Sequence, residues 1–367
     1  MSTTSTDLLY SDVEDSLRGS VRALMGDRCP PESVMARYDG AAPEPGLWRA
    51  LGEDLGVAGL LVPEKLGGAG ASAREAAVVQ EELGRFVAPV PFLTSAVLAT
   101  TALLEVGDDR LLPRLAGGEL TAVLALPLSC APGETGTSVR RGEDGRLHGR
   151  VSSVADADLA DVLVVPVGTG SGTELHQVQP AAAGVSVEPV LSLDMSRQIC
   201  DVGLDGVEST PLADDGAAAV RTALVTGAAM LASEQLGVAE WCLQSTVAYV
   251  RERQQFGRPV GSFQAVKHRL ADVWLEVSSA RAAARHAAGA VADRGSDFET
   301  AASLAQAYCS GVAVHAAEEC VQLHGGIGMT WEHPAHLYLK RAKADEIALG
   351  TPGRHRTILA ELVSLPA

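Results

Sequence analysis

The chain has 367 residues, of which 47% are hydrophobic and 20% are charged, so it has enough apolar material for packed cores in roughly two to three domains. Its 29 basic and 46 acidic residues give a formal net charge of −17, and there is no Lys/Arg block. Because so acidic a chain repels phosphate backbones and anionic lipids, these properties argue against a nucleic-acid-binding protein and against a membrane-surface protein.

Six cysteines are scattered along the chain, and no two of them form a CxxC pair. This pattern is typical of reduced thiols in the cytoplasm and not of a disulfide framework or a zinc site. The N-terminal residues lack the basic region of a signal peptide, and the longest apolar runs fall well short of a bilayer-spanning length of about 20 residues. We therefore expect a cytoplasmic protein that does not insert into membranes.

The first third of the chain has helical periodicity. Apolar residues recur every three to four positions from Leu9 to Leu24, which predicts one apolar helix face. The same spacing returns at residues 75–83 and 94–104. These patterns predict an all-helical N-terminal domain over residues 1–118.

Two motifs that suggest other cofactors are set aside. Gly68, Gly70 and Ala73 resemble a dinucleotide-binding GxGxxA turn, but the βαβ unit that such a turn requires is not predicted around them. A glycine loop before a helix cap is the favoured interpretation. The nine histidines include no HExxH or comparable ligand spacing, so we predict no metal site.

Between residues 119 and 213 the pattern changes to short runs rich in Val and Leu, separated by Gly, Asp and Pro. The clearest runs are VLALPL, RLHGRVSSV, DVLVVPV and GVSVEPV. Spaced strands with turn residues between them predict a small antiparallel β-barrel or sandwich.

From residue 214 to residue 367 the helical period returns in long amphipathic stretches. They cover residues 216–250, 262–294, 300–323 and 352–362. Long helices joined by short connections predict an antiparallel four-helix bundle. The chain is therefore predicted to be an α+β protein with three domains, over residues 1–118, 119–213 and 214–367.

The first segment that carries chemistry is RERQQFGRPVGSFQAVKH, residues 251–268. It joins two predicted helices, and Ser262 can cap the second. An arginine side chain beside a helix N-terminus is a good pyrophosphate site, because guanidinium and backbone N–H groups converge on anionic oxygens. Phe256 and Phe263 can flank a flat ring system. Taken alone, a loop whose arginines pair with local carboxylates is the more ordinary interpretation.

The second segment is QLHGGIGM, residues 322–329, at the end of a predicted helix. Glycines at 325 and 326 allow a close backbone approach to a ligand, and Gln322 can donate or accept hydrogen bonds. A helix C-cap followed by a turn explains the same pattern without a ligand.

Together, about 70 residues apart and in this order, the two segments resemble the C-terminal signatures of the flavin-dependent acyl-CoA dehydrogenases. The resemblance extends along essentially the whole chain, including VPEKLGGAG, EELGR and WEHPAHLYLKRAKADEIALGTP. It implies a helix–sheet–bundle fold, FAD as the cofactor and an acyl-CoA thioester as the substrate. In that family, the arginine of the first signature and the glutamine and second glycine of the other bind the diphosphate and adenosine of an FAD in the neighbouring subunit. The positions that the resemblance marks as cofactor-binding here are Arg253, Phe256, Phe263, Gln264, Gln322, Gly325 and Gly326.

The family's catalytic base is missing. An acyl thioester loses its α-proton to a carboxylate, and such general-base catalysis contributes about 10²–10⁴ in rate. The family usually places this Glu just before Gly-Thr in the loop that leads to the last helix, where this chain has Leu349. An alternative family position, early in the first bundle helix, falls at about Gly227. Glu234 and Glu346 are nearby substitutes, although an exposed carboxylate on a helix surface is the more ordinary interpretation of each; no catalytic residue is assigned.

The positions that contact the flavin ring in the family also differ. Its Thr-Glu-Pro segment corresponds to Ala125-Leu126-Pro127, and its Gly-x-x-x-Trp-Ile-Thr strand corresponds to residues 149–155. Ser153 replaces the aromatic residue, while Ala125 and Ala155 replace hydroxyl donors. A flavin ring depends on such donors and on ring packing, so these differences predict a vacated ring site.

The retained and missing positions predict a subunit that contacts the nucleotide half of an FAD whose ring lies in a homologous chain. We expect an α2β2 heterotetramer with two FAD at unlike-subunit interfaces, similar to the paired chains of actinobacterial sterol-degradation dehydrogenases. A homotetrameric acyl-CoA dehydrogenase with a displaced carboxylate and a cofactor-free scaffold subunit are the alternatives. Steroid, branched, short-chain and carrier-bound acyl thioesters all remain open as substrates.

Overall fold

The computed structural model describes residues 8–40, 46–170 and 172–365. Helices come first along the chain, strands follow, and long helices end it, as predicted. Within these residues, no helix is long and apolar enough to cross a membrane.

The N-terminal part of the chain is helical, and its helices Ala73–Arg85 and Thr100–Val106 pack on the first long helix of the bundle. The helices of this part are α1 (Asp12–Arg28), α2 (Pro31–Met35), α3 (Leu47–Arg49), α4 (Ala73–Arg85), α5 (Thr100–Val106) and α6 (Leu112–Ala116). Ser72 caps α4 in a capping box with Glu75, so the glycine loop at 68–70 leads into a capped helix. α4 crosses the first bundle helix so closely that a Cβ on Gly84 or Gly237 would clash with the facing backbone. Glycine at both positions is therefore what lets the two helices meet.

The middle of the chain forms one eight-stranded sheet. Its strands are β1 (Ala122–Leu124), β2 (Val139–Arg141), β3 (Leu147–Ala155), β4 (Val162–Gly168), β5 (Thr173–Val178), β6 (Val185–Val190), β7 (Ile199–Val207) and β8 (Thr210–Ala213). The order is β6-β7-β3-β2-β4-β5-β8, with β1 beside β4. Most pairs are antiparallel, but β1–β4 and β2–β4 are parallel. Since this path ends at β6 and β8, the sheet does not close into a barrel.

The C-terminal helices form the predicted bundle. They are α7 (Ala217–Glu252), α8 (Gln264–Asp293), α9 (Phe298–His324), α10 (Ala335–Ile347) and α11 (Pro352–Leu362). A short hairpin of β9 (Gln254–Gln255) and β10 (Arg258–Pro259) joins α7 to α8. Many of the buried positions of α7 and α9 are alanines, and such small side chains allow close helix packing.

Candidate functional site

The first predicted segment forms a tight hairpin at the end of α7. β9 pairs antiparallel with β10, and the two turn residues, Phe256 and Gly257, have φ angles of +53° and +74°. Two positive φ angles are typical of a type I′ turn, but this conformation is strained by about 1–2 kcal/mol for a residue other than glycine. Phe256 is nevertheless at the tip and 91% exposed. Within the part of the chain that the structure describes, the ring has an edge-on contact with Phe263 and no other aromatic contact that would offset the strain.

Arg253 has a fixed backbone and a free side chain. Its N–H donates to the Tyr249 carbonyl (2.9 Å), and its carbonyl accepts from the Val260 N–H (2.7 Å). The side chain is exposed, and its guanidinium has no hydrogen-bond or ion-pair partner among the described residues. The interpretation that this arginine pairs with a local carboxylate is therefore not supported by the structure.

The N-terminus of α8 lies beside this hairpin and has no side-chain cap. Its N-cap is Phe263, so the prediction that Ser262 caps the helix is wrong. The Ser262 hydroxyl is instead buried, with no partner in the part of the chain that the structure describes. The guanidinium of Arg258 lies 3.8 Å from the centre of the Phe263 ring. The uncapped N–H groups at Gln264 and the next positions leave the positive end of the helix dipole available to an anion.

The second predicted segment follows the last turn of α9. Gly325 has φ +63° and ψ −139°, a conformation that glycine adopts far more readily than other residues. It ends the helix, so the C-cap interpretation holds and does not conflict with a ligand role. Gln322, Gly325 and Gly326 are all exposed.

Both segments start from the same end of the bundle. The Tyr249 ring on α7 stacks on the His324 ring on α9, with ring centres 4.5 Å apart and an interplanar angle of 27°. Among the seven predicted positions, Phe263 is half-buried and the others are exposed. Tyr249 and His324 were missed by the sequence analysis; their signal is position alone, four residues before Arg253 and directly before Gly325.

The two family positions for the base lie against each other and are filled with apolar groups. Leu349 is 1% exposed, has φ +54° and donates its N–H to the Leu128 carbonyl (2.7 Å). A Cβ on Gly227 would clash with Leu98 and lie 3.0 Å from Leu349 Cδ1. The space between these positions has no room for a carboxylate.

Glu234 is not exposed on a helix surface, contrary to our expectation. It is 1% exposed, and its carboxylate accepts hydrogen bonds from Arg197 (2.8 Å), from Arg341 (2.6 Å) and from Gln80. Burial alone would raise the pKa of Glu234, but the two guanidinium groups outweigh it and lower the pKa. A carboxylate held in this way is a poor proton acceptor. The sequence gives no signal for it, because Arg197 and Arg341 come from distant segments.

A cavity of about 300 Å³ lies between the sheet and α10 at the predicted ring site. Ser153 lines it at a bulge in β3, with φ +59°. Its N–H donates to Asp201 (2.9 Å), and its carbonyl accepts from the Leu128 N–H (2.8 Å). Glu346 does not line this cavity and lies 3.8 Å from the Lys343 ammonium. Asp194 is the carboxylate among the described lining residues, and it is paired with Arg341 at 2.7 Å. The cavity therefore has neither an unpaired carboxylate among these residues nor a free backbone donor at Ser153.

Comparison with known proteins agrees with the resemblance seen in the sequence. The family models "Acyl-CoA dehydrogenase, N-terminal domain" and "Acyl-CoA dehydrogenase, C-terminal domain" match residues 11–119 and 214–364. The chain is 37% identical over 343 residues to "Acyl-CoA dehydrogenase IpdE2" of Mycolicibacterium smegmatis, covering 93% of this chain and 96% of that protein. It is similar to a chain of the ChsE4-ChsE5 complex from Mycobacterium tuberculosis, with a TM-score of 0.85, 31% identity and coverage of 98% and 100%. It is also similar to the Tcur3481-Tcur3483 steroid ACAD, with a TM-score of 0.85, 31% identity and coverage of 96% and 98%.

Proposed function

This chain belongs to the acyl-CoA dehydrogenase family, and on that basis we propose that it is a subunit that binds only the nucleotide half of the cofactor. The diphosphate and adenosine of an FAD contact this chain, while the flavin ring and the catalytic Glu belong to a homologous partner. The assembly is an α2β2 heterotetramer with an FAD at each unlike-subunit interface. When bound, FAD supplies the acceptor for the hydride that leaves the acyl-CoA β-carbon.

One observation carries the proposal: the strained, 91% exposed Phe256 lies close in sequence to Arg253, whose side chain has no partner among the described residues. Arg253 can donate two parallel hydrogen bonds to a diphosphate, and the uncapped start of α8 adds backbone donors for the same anion. Phe256 and Phe263 offer aromatic faces to the adenine. Gln322 and the glycine backbone at 325–326 are exposed at the same end of the bundle. These residues fit the nucleotide half of FAD.

The rest of FAD does not fit this chain. Leu98, Leu349 and Gly227 close the space where the family's base and acyl group meet. No aromatic side chain is among the described residues that line the ring cavity, and Ala125 and Ala155 stand where the family has the hydroxyl donors that orient a flavin. One subunit of a complementary pair is expected to combine a good nucleotide site with a poor ring site, as this chain does.

The partner and substrate classes are proposed from the related structures. The ChsE4-ChsE5 structure is a complex of two different chains, which supports an unlike partner here. The Tcur3481-Tcur3483 protein is a steroid ACAD, which supports a steroid-derived acyl-CoA as the substrate. Because the acyl site of this chain is filled, the partner determines which acyl group is accepted.

Co-purification tests the proposal. The chain is expressed alone and then with a homologous subunit that carries the Glu and the Trp-Ile-Thr strand. We expect the single chain to be colourless and the complex to be yellow, with one FAD per pair and acyl-CoA-dependent bleaching of the flavin. Full flavin occupancy in the single chain would contradict the proposal.

Arginine variants of the complex separate this proposal from a scaffold role. Arg253→Ala is expected to reduce the FAD content of the assembled heterotetramer. Arg140→Ala, which removes another exposed arginine on the distant strand β2, is the matched control and leaves the content unchanged. Equal FAD content in both variants would favour the cofactor-free scaffold. The homotetramer with a displaced base finds no support in Glu234, whose carboxylate is held between two arginines.

A further inference from the structure

We propose that the contacting rings of Tyr249, His324 and His333 are positioning residues that hold the two cofactor segments in one fixed arrangement. This inference rests on the proposed function, because it concerns how the nucleotide half of FAD meets a preformed surface. The two segments alone do not fix this arrangement, because one is a hairpin tip and the other is a run of glycines.

Tyr249 connects the first segment to the ring cluster. Its carbonyl accepts the Arg253 N–H at 2.9 Å, which fixes the residue that carries the free guanidinium. Its ring stacks on His324 at 4.5 Å between centres. One residue on α7 thus contacts both the arginine and the helix that ends in the second segment.

His324 and His333 close the second segment into a loop. His324 is 2% exposed, and its Nδ1–H donates to the Cys320 carbonyl at 2.7 Å. The centre of the His333 ring lies 4.2 Å from the centre of the His324 ring. His333 Nδ1 also accepts the Ala335 N–H at 3.2 Å, at the start of α10. Because His324 precedes the glycines and His333 follows them, this contact fixes both ends of the loop that contains Gly325 and Gly326.

The contact depends on a neutral His333. Burial, with further effects from His324 and from His336 on α10, lowers the pKa of His333 to about 4 from its ordinary value of 6.5. Burial lowers the pKa of His324, but the hydrogen bond and the charge of Cys320 Sγ, whose own pKa is lowered chiefly by a hydrogen bond with Cys242, outweigh this and raise the pKa of His324. His336 faces Lys340, and burial and that charge lower its own pKa. Between pH 6.5 and pH 4, His333 is protonated in an opened loop but stays neutral in the closed loop. Lowering the pH therefore favours the opened loop.

Substitution of Tyr249 in the purified FAD-containing complex tests the inference. Tyr249→Leu removes the aromatic stack and is expected to weaken FAD binding at pH 7.5 by about two- to tenfold. Tyr249→Phe keeps the ring and restores binding to within about twofold, whereas a merely hydrophobic role would be satisfied by leucine as well. The KM for acyl-CoA is expected to stay unchanged in both variants, because the proposed function places the acyl group in the partner chain.

A pH series gives a second readout that does not depend on the folding of the leucine variant. Between pH 7.5 and pH 5.5 the wild-type complex is expected to lose FAD affinity by up to about tenfold. His333→Phe keeps a ring at this position but cannot be protonated, so its affinity should fall less than that of the wild type over the same range, with any remaining change due to His324 and His336. The inference is overturned if leucine binds FAD as tightly as tyrosine, or if His333→Phe retains the wild-type pH dependence. Unchanged FAD content in Arg253→Ala would instead overturn the proposed function, so the two failures are distinguishable.

Discussion

Phe256, Ser153 and Leu349 share a left-handed backbone conformation, with φ angles of +53°, +59° and +54°. They lie at the proposed nucleotide site, at the proposed ring site and at the position of the family's base. Such strain is usually kept where a site requires it. At Phe256 the strained backbone presents an exposed ring at the tip of a turn, which is what the proposed contact with the nucleotide requires. At Ser153 and Leu349 the same strained backbone carries side chains that can neither stack on a flavin nor accept a proton from a substrate.

Leu349→Glu is expected not to restore dehydrogenation in the single chain. The new carboxylate would be buried against Leu98 and Gly227 without a partner, so the free energy of unfolding should fall by about 2–5 kcal/mol. Thermal unfolding and flavin bleaching by acyl-CoA are the measurements. Leu349→Met, which keeps the volume and polarity, should lose less than about 1.5 kcal/mol. Acyl-CoA oxidation by the isolated glutamate variant would show that the site is intact apart from its base.

At the scale of elements, a buried ionic cluster joins the three parts of the fold. Glu234 on α7 binds Arg197 from the segment before β7 and Arg341 on α10. Gln80 on α4 donates to the same carboxylate. Arg197 also contacts Asp345 at 2.9 Å. Burying charges is unfavourable unless each is paired, so the cluster fixes how the helices and the sheet meet.

Glu234→Gln should therefore act on stability and not on chemistry. The substitution removes the carboxylate that bridges two buried guanidinium groups and leaves Arg197 with Asp345 and Arg341 with Asp194. We expect a loss of about 3 kcal/mol in the free energy of unfolding, the low end of the cost of breaking a buried ion pair. Glu346→Gln, at a half-buried helix position, should change it by less than about 0.5 kcal/mol. Denaturant titration measures both variants. If Glu234→Gln kept full stability and lost all turnover in the complex, Glu234 would be the displaced base after all.

The pKa of Asp345 is shifted in the opposite direction to the pKa of Glu234. Burial and the nearby Glu234 raise the pKa of Asp345 well above its ordinary value, despite the contact with Arg197. The folded chain keeps this proton while the unfolded chain releases it, so the stabilisation present at acid pH is lost as the pH rises above 3.8. Asp345→Asn mimics the protonated acid and removes this loss. Its stability relative to wild type should thus increase from pH 5 to pH 8, by at most about 1.4 kcal/mol per pH unit. A constant difference across that range would contradict a neutral Asp345.

At the scale of the whole molecule, the order of helices, sheet and bundle follows from hydrophobic periodicity, because period and element type are local properties. α7 is predicted at 216–250 and found at Ala217–Glu252. α10 lies in a stretch for which no separate helix is predicted, and β7, which follows the last predicted run GVSVEPV, is missed although its buried residues alternate. The domain boundaries at residues 118 and 213 and the cytoplasmic location stay predictions.

The candidate site is less accessible to sequence analysis than the fold. The sequence shows that the base and a ring contact are missing, because Leu349 and Ser153 occupy those motif positions and a motif specifies residue type. The burial of Glu234 is not visible, since it depends on a glycine crossing between α4 and α7 and on arginines far along the chain. The ring contacts of Tyr249 depend on which helix ends meet, and this too is a tertiary property.

Stabilisation by FAD should be a property of the assembly. A ligand that binds the folded state raises the free energy of unfolding by about 2.7 kcal/mol at 100 times its Kd. We expect added FAD to raise the Tm of the heterotetramer and to leave the Tm of this chain alone unchanged, because the chain contacts only the nucleotide half. ADP, which lacks the flavin ring, should compete with FAD in the complex, and Arg253→Ala should weaken this competition more than Arg140→Ala does. A Tm increase with FAD in the isolated chain would instead place a complete cofactor site within one subunit.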